Sequence, residues 1–244
     1  MSKSLTEHEA DAYQYLLSIN NGIFGDIIGR TYEFMGQVAD RFPEQHVEGG
    51  AFHASSLIYM RLMQDLRCVD LCACRGYPTA AGTVASSIWE LSFEIKYLSL
   101  INENAEKWFD HEAIKNTEKR YDRRLKAVME ILFPDETERE IASEAEWENY
   151  SYLSAFKHGN STLQRRLGRI HIPEGFEISP LPDLSKFSVD SLVNIVYQAC
   201  KYCLTGTRFM AKEHLTHELR EQLSLTLKSL SYDLEKYWDG YQAK

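Results

Sequence analysis

The chain has 244 residues, of which 44% are hydrophobic and 26% are charged. This composition is typical of globular proteins and excludes a disordered chain, and the length is sufficient to form a substantial core. The net charge of −9 excludes a basic nucleic-acid coat protein, so any contact with nucleic acid must come from a local patch.

We expect neither a secretion signal nor a membrane-spanning segment. The first 14 residues contain no apolar signal core, which argues against secretion. The most apolar stretch, residues 88–101, is interrupted by Glu90, Glu94 and Lys96, so it does not predict a membrane span. The five cysteines are an odd number, as expected for reduced thiols. We therefore expect a soluble cytoplasmic protein without a membrane partner.

The first helical stretch is predicted over residues 5–42, with a bend or break at residues 20–22. It contains four glycines, and no Gly-Lys-Ser/Thr sequence follows them, so it is not a phosphate-binding loop. Glycine lowers the stability of a helix interior, and we expect these positions to allow close approach of a neighbouring helix. The four glycines are Gly22, Gly25, Gly29 and Gly36.

Apolar residues continue at helical spacing along most of the remaining chain. A capping box of Thr137 and Glu140 predicts the start of the fifth helix. The later predicted helices are residues 50–75, 80–101, 105–133, 137–156, 189–211 and 215–241. The pattern predicts one all-α domain over residues 1–244, a helical bundle of six to eight helices.

The main irregular segment is predicted over residues 158–187. It contains half of the six prolines and shows no convincing alternating strand pattern. Long connections inside compact domains are uncommon and are often functional. This segment is therefore where a binding or catalytic site is most expected outside the helices.

Glu90 and Glu94 are four residues apart and share one face of the most apolar helix. Buried carboxylates must be paired or protonated, so we predict an ion pair with an arginine of the second helix. The pair fits two roles, an ion-pair network that fixes helix register or an acid/base site. A di-metal site is disfavoured because no Glu-x-x-His occurs in the sequence.

Tyr150, Ser154 and His158 are each four residues apart at the end of the fifth predicted helix. The basic cluster of this acidic chain follows directly: Lys157, Arg165, Arg166, Arg169 and His171. An imidazole beside arginines is suited to acid/base chemistry on a phosphodiester. The alternative is a solvated basic loop whose histidine complements the helix macrodipole.

Two cysteine pairs also lie at helical spacing. Cys68 and Cys72 share one helix face, and Cys200 and Cys203 share another. Two such pairs on adjacent helices are compatible with tetrahedral zinc. Helical pairs lack the loop geometry of zinc knuckles, and free cysteine is commonly a small core residue. We therefore predict no metal site and no cofactor.

Two short motifs within residues 53–163 resemble those of a bacterial family of unknown function with an all-helical core. The family carries an arginine and a hydrophobic stretch that ends in glutamate, matched here at residues 85–90 with Ser86 at the arginine position. Its second motif is Tyr-x-x-Leu-Ser followed by His, matched by Tyr150, Leu153, Ser154 and His158.

The family is in turn distantly similar to HEPN domains, which are helical, nucleotide- or RNA-associated and often dimeric. HEPN domains occur in toxin–antitoxin and phage-defence systems, and their ribonuclease signature is arginine, four to six residues, then histidine. Here that spacing is met by Arg165 or Arg166 with His171, and by Arg208 with His214. Roughly one or two such pairs are expected by chance in this chain, so they add no support.

The resemblance implies a HEPN-like protein of bacterial stress or phage defence that binds or cleaves RNA without a metal. Its catalytic candidates are His158, which would transfer the proton, and Glu90. Its substrate-binding candidates are Ser154, Arg165 and Arg166. The implied partners are RNA or a nucleotide, and a second copy of the chain in a homodimer or a cognate protein.

Two other hypotheses remain open. In the first, the protein is a non-catalytic module for oligomerisation or protein interaction, which the leucine stripe of residues 219–234 would serve. In the second, it is a small-molecule sensor or enzyme built around Glu90. The sequence alone does not decide whether the protein is an enzyme.

Overall fold

Long α-helices account for most of the computed structural model, which describes residues 3–42, 50–101, 108, 121–164, 166–167, 169–172, 175–178 and 180–243. Within these residues there are eight helices of at least three turns. They are α1 (Leu5–Asn21), α2 (Ile28–Ala39), α3 (Gly50–Ala73), α4 (Pro78–Leu100), α5 (Tyr121–Leu132), α6 (Glu136–Lys157), α8 (Lys186–His214) and α9 (His217–Gln242). The prediction of an all-α bundle is confirmed.

Three smaller elements complete the described fold. A π-helical segment, Gly22–Ile27, joins α1 to α2, and a single turn, α7 (Ser161–Gln164), follows α6. Strands β1 (Arg169–Ile172) and β2 (Gly175–Ile178) form an antiparallel hairpin. Residues 158–187 were predicted as an irregular segment, and the structure places this short hairpin within it. In the sequence, Ile170 and Ile172 alternate with polar residues before the tripeptide Pro-Glu-Gly, which is a pattern that predicts a short hairpin.

Helices α1, α6, α8 and α9 begin after residues whose side chains accept hydrogen bonds from their free N–H groups. Ser4 and Glu7 form a reciprocal capping box at α1, in which the Ser4 backbone N–H donates to Glu7 at 2.6 Å. The predicted capping box of Thr137 and Glu140 is wrong, because α6 is capped by Asp135 two residues earlier. Aspartate caps a helix as well as threonine does, and Asp135 directly follows a proline.

The predicted break in the first helical stretch is confirmed. Asn20 has φ −154° and ψ 64°, which are not helical angles, and the π-helical segment starts two residues later. Gly22 allows close approach of a neighbouring helix, as predicted, because a Cβ there would lie 1.9 Å from the ring of Tyr237 in α9. Gly29 does not, because a Cβ there would meet nothing within 4 Å.

The core is centred on α4, which packs against α3, α6 and α8. Trp89 on α4, Tyr59 on α3 and Tyr202 on α8 are among its fully buried side chains. Gly82 lets α6 approach α4 closely, since a Cβ would lie 2.3 Å from the ring of Phe156. All eight long helices contribute to one hydrophobic cluster. This packing holds the end of α6 against the middle of α4.

Candidate functional site at the end of helix α6

Helix α6 ends in a turn that its sequence specifies. His158 is the C-cap, and its backbone N–H donates to the Ser154 carbonyl at 3.0 Å. Gly159 has φ +61°, a conformation that glycine adopts without strain. The Asn160 N–H then donates to the Ala155 carbonyl at 3.0 Å, as in a Schellman motif. The chain therefore reverses immediately after Lys157 and His158 and leaves both side chains exposed.

Glu90 is buried beneath this turn, as the sequence predicted. Its side chain is 11% exposed, and both carboxylate oxygens accept hydrogen bonds from Lys157 Nζ, at 3.0 and 3.2 Å. Tyr150, two helical turns before Lys157, also hydrogen-bonds to Glu90 and packs with its ring centroid 4.5 Å from that of Trp89. Burial raises the pKa of Tyr150, and the Glu90 carboxylate raises it further. Glu90 is thus held by two side chains of α6.

The predicted partner of Glu90, an arginine of the second helix, is wrong. Each arginine of the predicted helix 50–75 pairs with a different carboxylate: Arg61 with Asp65 and Arg67 with Asp70 on α3, and Arg75, just after the end of α3, with Glu9. Two of these pairs are three or four residues apart on α3 itself, where side chains meet without long-range packing. The face of α4 that carries Glu90 is turned to α6 instead.

Glu94 has a different partner from Glu90 although the two residues are one turn apart. Its carboxylate accepts a hydrogen bond from the guanidinium of Arg124 on α5. Burial raises the pKa of Glu94, and the positive charge of Arg124 opposes this rise. The two carboxylates therefore belong to two separate ion pairs, one with α6 and one with α5.

The predicted site residues lie in different surroundings. His158 is exposed, whereas Ser154 is half-buried and its hydroxyl donates to the Ser151 carbonyl at 3.4 Å. Arg166 is exposed, with its guanidinium 5.3 Å from the ring centroid of Phe187. Arg165 lies outside the described residues. The structure thus brings Glu90 and Lys157 together beside His158, and a shared surface of His158 with the arginines stays a prediction.

The second arginine–histidine pair, Arg208 and His214, is divided between surface and core. Arg208 is exposed, whereas His214 is buried, with its Nε2 3.0 Å from Ser99 Oγ. Burial lowers the pKa of His214. This histidine is therefore a core residue of α8. The side chain of His171, in the other pair, lies outside the described residues.

The four cysteines considered for zinc differ in exposure. Cys68 is exposed and Cys72 is half-buried, whereas Cys200 and Cys203 are fully buried. Burial raises the pKa of Cys200 to about 12 and raises that of Cys203 well above its usual range. Across the part of the chain that the structure describes, no three or more His, Cys, Asp or Glu side chains are grouped so that they could hold a metal ion.

Glu146 is the residue at this interface that the sequence reasoning missed. Its carboxylate accepts hydrogen bonds from Tyr202 at 2.5 Å and from the indole of Trp89 at 3.4 Å. Glu146, Tyr150 and Lys157 are four and seven residues apart, so they line the α6 face that meets α4. That spacing was the available signal.

These features define an all-α bundle in which a buried carboxylate anchors the exposed basic end of a helix. No protein-family model matches the chain, and searches of curated proteins and of solved structures find nothing similar to it. None of the helices described here is long and apolar enough to cross a membrane.

Proposed function

We propose that the protein binds RNA at the end of α6 and cleaves it without a metal ion. The observation that carries the proposal is an exposed set of basic side chains, Lys157, His158 and Arg166, in a chain of net charge −9. An acidic protein repels a polyanion in general, so binding must be concentrated where cations are exposed. Helix ends and loops are also where side chains reach ligands most readily.

In this proposal His158 transfers the proton during cleavage. The imidazole takes the proton of a ribose 2′-hydroxyl as its oxygen attacks the adjacent phosphorus. The bond from phosphorus to the 5′-oxygen then breaks, and the imidazolium returns a proton to that oxygen. Arg166 and Arg165 would hold the phosphate oxygens, because guanidinium groups donate two parallel hydrogen bonds to phosphate. Ser154 would contribute a hydroxyl on the substrate side.

Glu90 acts in this proposal as a positioning residue, although the sequence suggested a catalytic one. Its carboxylate is bonded to Lys157, the neighbour of His158, and is 11% exposed. A buried carboxylate that anchors the helix end keeps the cap and its histidine in one orientation. The expected consequence is that replacing Glu90 alters the affinity for RNA less than replacing Arg166 does.

The test measures binding and cleavage of a fluorescently labelled single-stranded RNA. His158→Ala should lower the cleavage rate about 100-fold or more while leaving affinity nearly unchanged. Arg166→Ala should weaken binding about tenfold and reduce its dependence on salt. The matched controls are His217→Ala and Arg208→Ala, which remove an exposed histidine and an exposed arginine elsewhere. Cleavage retained by His158→Ala, or binding that ignores salt, would overturn the proposal.

We propose bacterial stress or phage defence as the biological setting, with a homodimer as the working form. The support is the Tyr150 to His158 motif, which resembles that of the bacterial all-helical family described above, itself distantly similar to HEPN domains. Expression of the wild-type chain in bacteria should slow growth or reduce phage plating, and His158→Ala should abolish the effect. Equal effects of both chains would reject this setting while leaving RNA binding to be measured directly.

A second candidate function, a protein-interaction module, is favoured by one feature of α9. Leu225 and Tyr232 are 73% and 69% exposed and lie seven residues apart on one face. The leucine stripe predicted for this role instead packs inward, with Leu230 and Leu234 buried. Light scattering should show a smaller assembly for Leu225→Glu/Tyr232→Glu, whereas Ile141→Glu, at an exposed apolar position on α6, should change nothing.

A further inference from the structure

A cleft is lined by α1, the π-helical segment with the start of α2, and the C-terminal third of α3 with the turn that follows it. Its volume is about 540 Å³, within the range of small-molecule sites. Glu90 and His158 are not among the described residues that line it. We propose that this cleft binds a small molecule in which a planar ring carries an oxyanion, either a phosphate or a carboxylate.

The wall formed by the π-helical segment and α2 is open because it carries glycines. Gly25 and Gly29 both line the cleft, and a Cβ at Gly29 would meet nothing within 4 Å. Gly22 and Gly82, by contrast, are each required by a ring that packs against them. Glycine weakens a helix relative to alanine, and no contact within the protein explains it at Gly29. Close approach of a ligand would explain it.

The π-helical turn contributes to the same wall. Segments of this kind are rare in proteins and occur frequently at functional sites, because the wider turn displaces part of a helix outward. Here it follows the non-helical Asn20 and places Phe24 and Gly25 on the cleft. The fold therefore departs from regular helix geometry at the point where the cavity is formed.

Apolar and aromatic side chains would contact the ring of the ligand. Tyr13 on α1 lines the cleft and is 41% exposed, so its face is open to a partner. Ile28 and Leu71 line the cleft from α2 and α3. A planar group lying against the Gly25–Gly29 wall would therefore find aliphatic and aromatic surface around it, as aromatic rings prefer.

Two arginines at the rim would bind the oxyanion. Arg67 pairs with Asp70, and Arg75 lies 3.7 Å from Glu9. Each arginine is more exposed than its carboxylate, at 56% against 20% and 43% against 27%. An entering molecule therefore meets the guanidinium groups first. The less exposed carboxylates pair with these guanidinium groups, and Glu9 also accepts a hydrogen bond from Tyr77 at 2.9 Å.

The chemistry of the cleft is that of binding and not of covalent catalysis. The thiol among its lining residues, Cys74, has its Sγ 3.4 Å from the Phe24 carbonyl oxygen and 3.2 Å from the Asp70 carboxylate, and its single proton can be donated to either acceptor. Burial raises the pKa of this thiol far above its usual range, so the nucleophilic thiolate is not formed near neutral pH. The thiol instead contacts the π-helical segment from the turn that follows α3, in the lining of the cleft.

Calorimetric titration of the full chain with four probes tests the proposal. The probes are 1-naphthyl phosphate, 2-naphthoate, 1-naphthol and inorganic phosphate. We expect at least one naphthyl anion to bind about tenfold more tightly than both the neutral ring and the bare anion, since both parts contribute. The two naphthyl anions distinguish a phosphate ligand from a carboxylate one.

Two pairs of variants locate the binding. Gly29→Leu should abolish it by filling the cleft, whereas Gly240→Leu, at another helical glycine with open space around it, should not. Arg75→Gln should weaken binding about tenfold, with the exposed Arg208→Gln as its control. Melting temperatures should show that both leucine variants fold. The proposal is overturned if neither naphthyl anion binds at millimolar concentration, if 1-naphthol or inorganic phosphate binds equally well, or if Gly29→Leu binds like the wild type.

Discussion

Charged residues occupy two contrasting regions, the buried middle of α4 and the exposed end of α6. On α4, Glu90, Glu94 and Lys96 are almost completely removed from water, and each must be stabilised by protein groups. At the end of α6, His158 stays in contact with water. Changes to the buried charges should therefore alter the stability of the bundle, whereas the exposed His158 can meet a ligand with little effect on stability.

Breaking the Glu94–Arg124 pair should be the most destabilising change among the buried charges. Arg124→Ala would leave a buried carboxylate without the cation that neutralises it, at a cost of about 3 kcal/mol. Urea denaturation of the variant measures this loss. Lys126→Ala is the matched control, because that lysine is 77% exposed on the same helix. Equal stabilities of the two variants would mean that the pair contributes nothing.

Removing the charge of Lys96 should stabilise the protein, in contrast to Arg124→Ala, because this charge is buried against aromatic rings. Its ammonium lies 3.8 Å from the Phe93 ring centroid and 5.7 Å from that of Phe209. Burial lowers the pKa of Lys96 to about 8, although the charge of Glu146 opposes this. Lys96→Met, which keeps the shape of the side chain, should therefore stabilise the protein at pH 7 by about 3 kcal/mol.

The pH dependence of the Lys96→Met effect follows from the direction of the pKa shift of Lys96. The folded pKa of about 8 lies below the unfolded value of 10.5, so the unfolded chain binds the extra proton between these values. The stability of the wild type should then rise from pH 8 to 10.5 relative to Lys96→Met, and the difference between them should shrink. A Lys96→Met protein that is less stable at pH 7 would mean that the ring contacts outweigh the cost of burial.

The Glu90–Lys157 pair lies between the two regions and should have an intermediate effect. Lys157 is 38% exposed while Glu90 is 11% exposed, so water partly screens their attraction. Glu90→Ala and Lys157→Met should each destabilise by about 1–2 kcal/mol, with a coupling of about 1 kcal/mol in a double-mutant cycle. Additive single effects would contradict a direct interaction between the two groups.

The sequence predicts features that depend on neighbouring residues better than features that depend on residues far apart along the chain. Helix α3 was predicted at residues 50–75 and found at Gly50–Ala73, because hydrophobic periodicity and terminal Gly and Pro residues are local signals. The burial of Glu90 followed from the apolar residues around it. The partner of Glu90 could not be predicted in this way, because periodicity identifies the buried face of a helix but not the neighbouring helix that covers it.

The cleft at Gly29 illustrates the same limit. The sequence showed glycines at helical spacing and suggested close helix packing for all of them, which holds at Gly22 but not at Gly29. Distinguishing the two needs the position of Tyr237, which is more than two hundred residues away along the chain. The hairpin at β1 and β2, in contrast, had a readable local pattern that the proline-rich composition of the segment obscured.

Replacing His214, a buried titratable residue of α8, should have the smallest effect on stability. The ring is buried next to Ser99 and 5.7 Å from the ring of Phe52. Burial lowers its pKa below the usual 6.5, although Glu213 opposes the shift. On acidification the unfolded chain therefore takes up this proton first, so the stability contribution is complete above pH 6.5 and is lost as the pH falls below it. The melting temperature should therefore fall more between pH 7 and pH 5 for the wild type than for His214→Gln. The corresponding change in the free energy of unfolding should be smaller than the three changes given above.

His217→Gln, which removes an exposed histidine on the adjacent helix, should follow the wild type. A His214→Gln protein with the same pH dependence as the wild type would show that this buried ring does not titrate in that range.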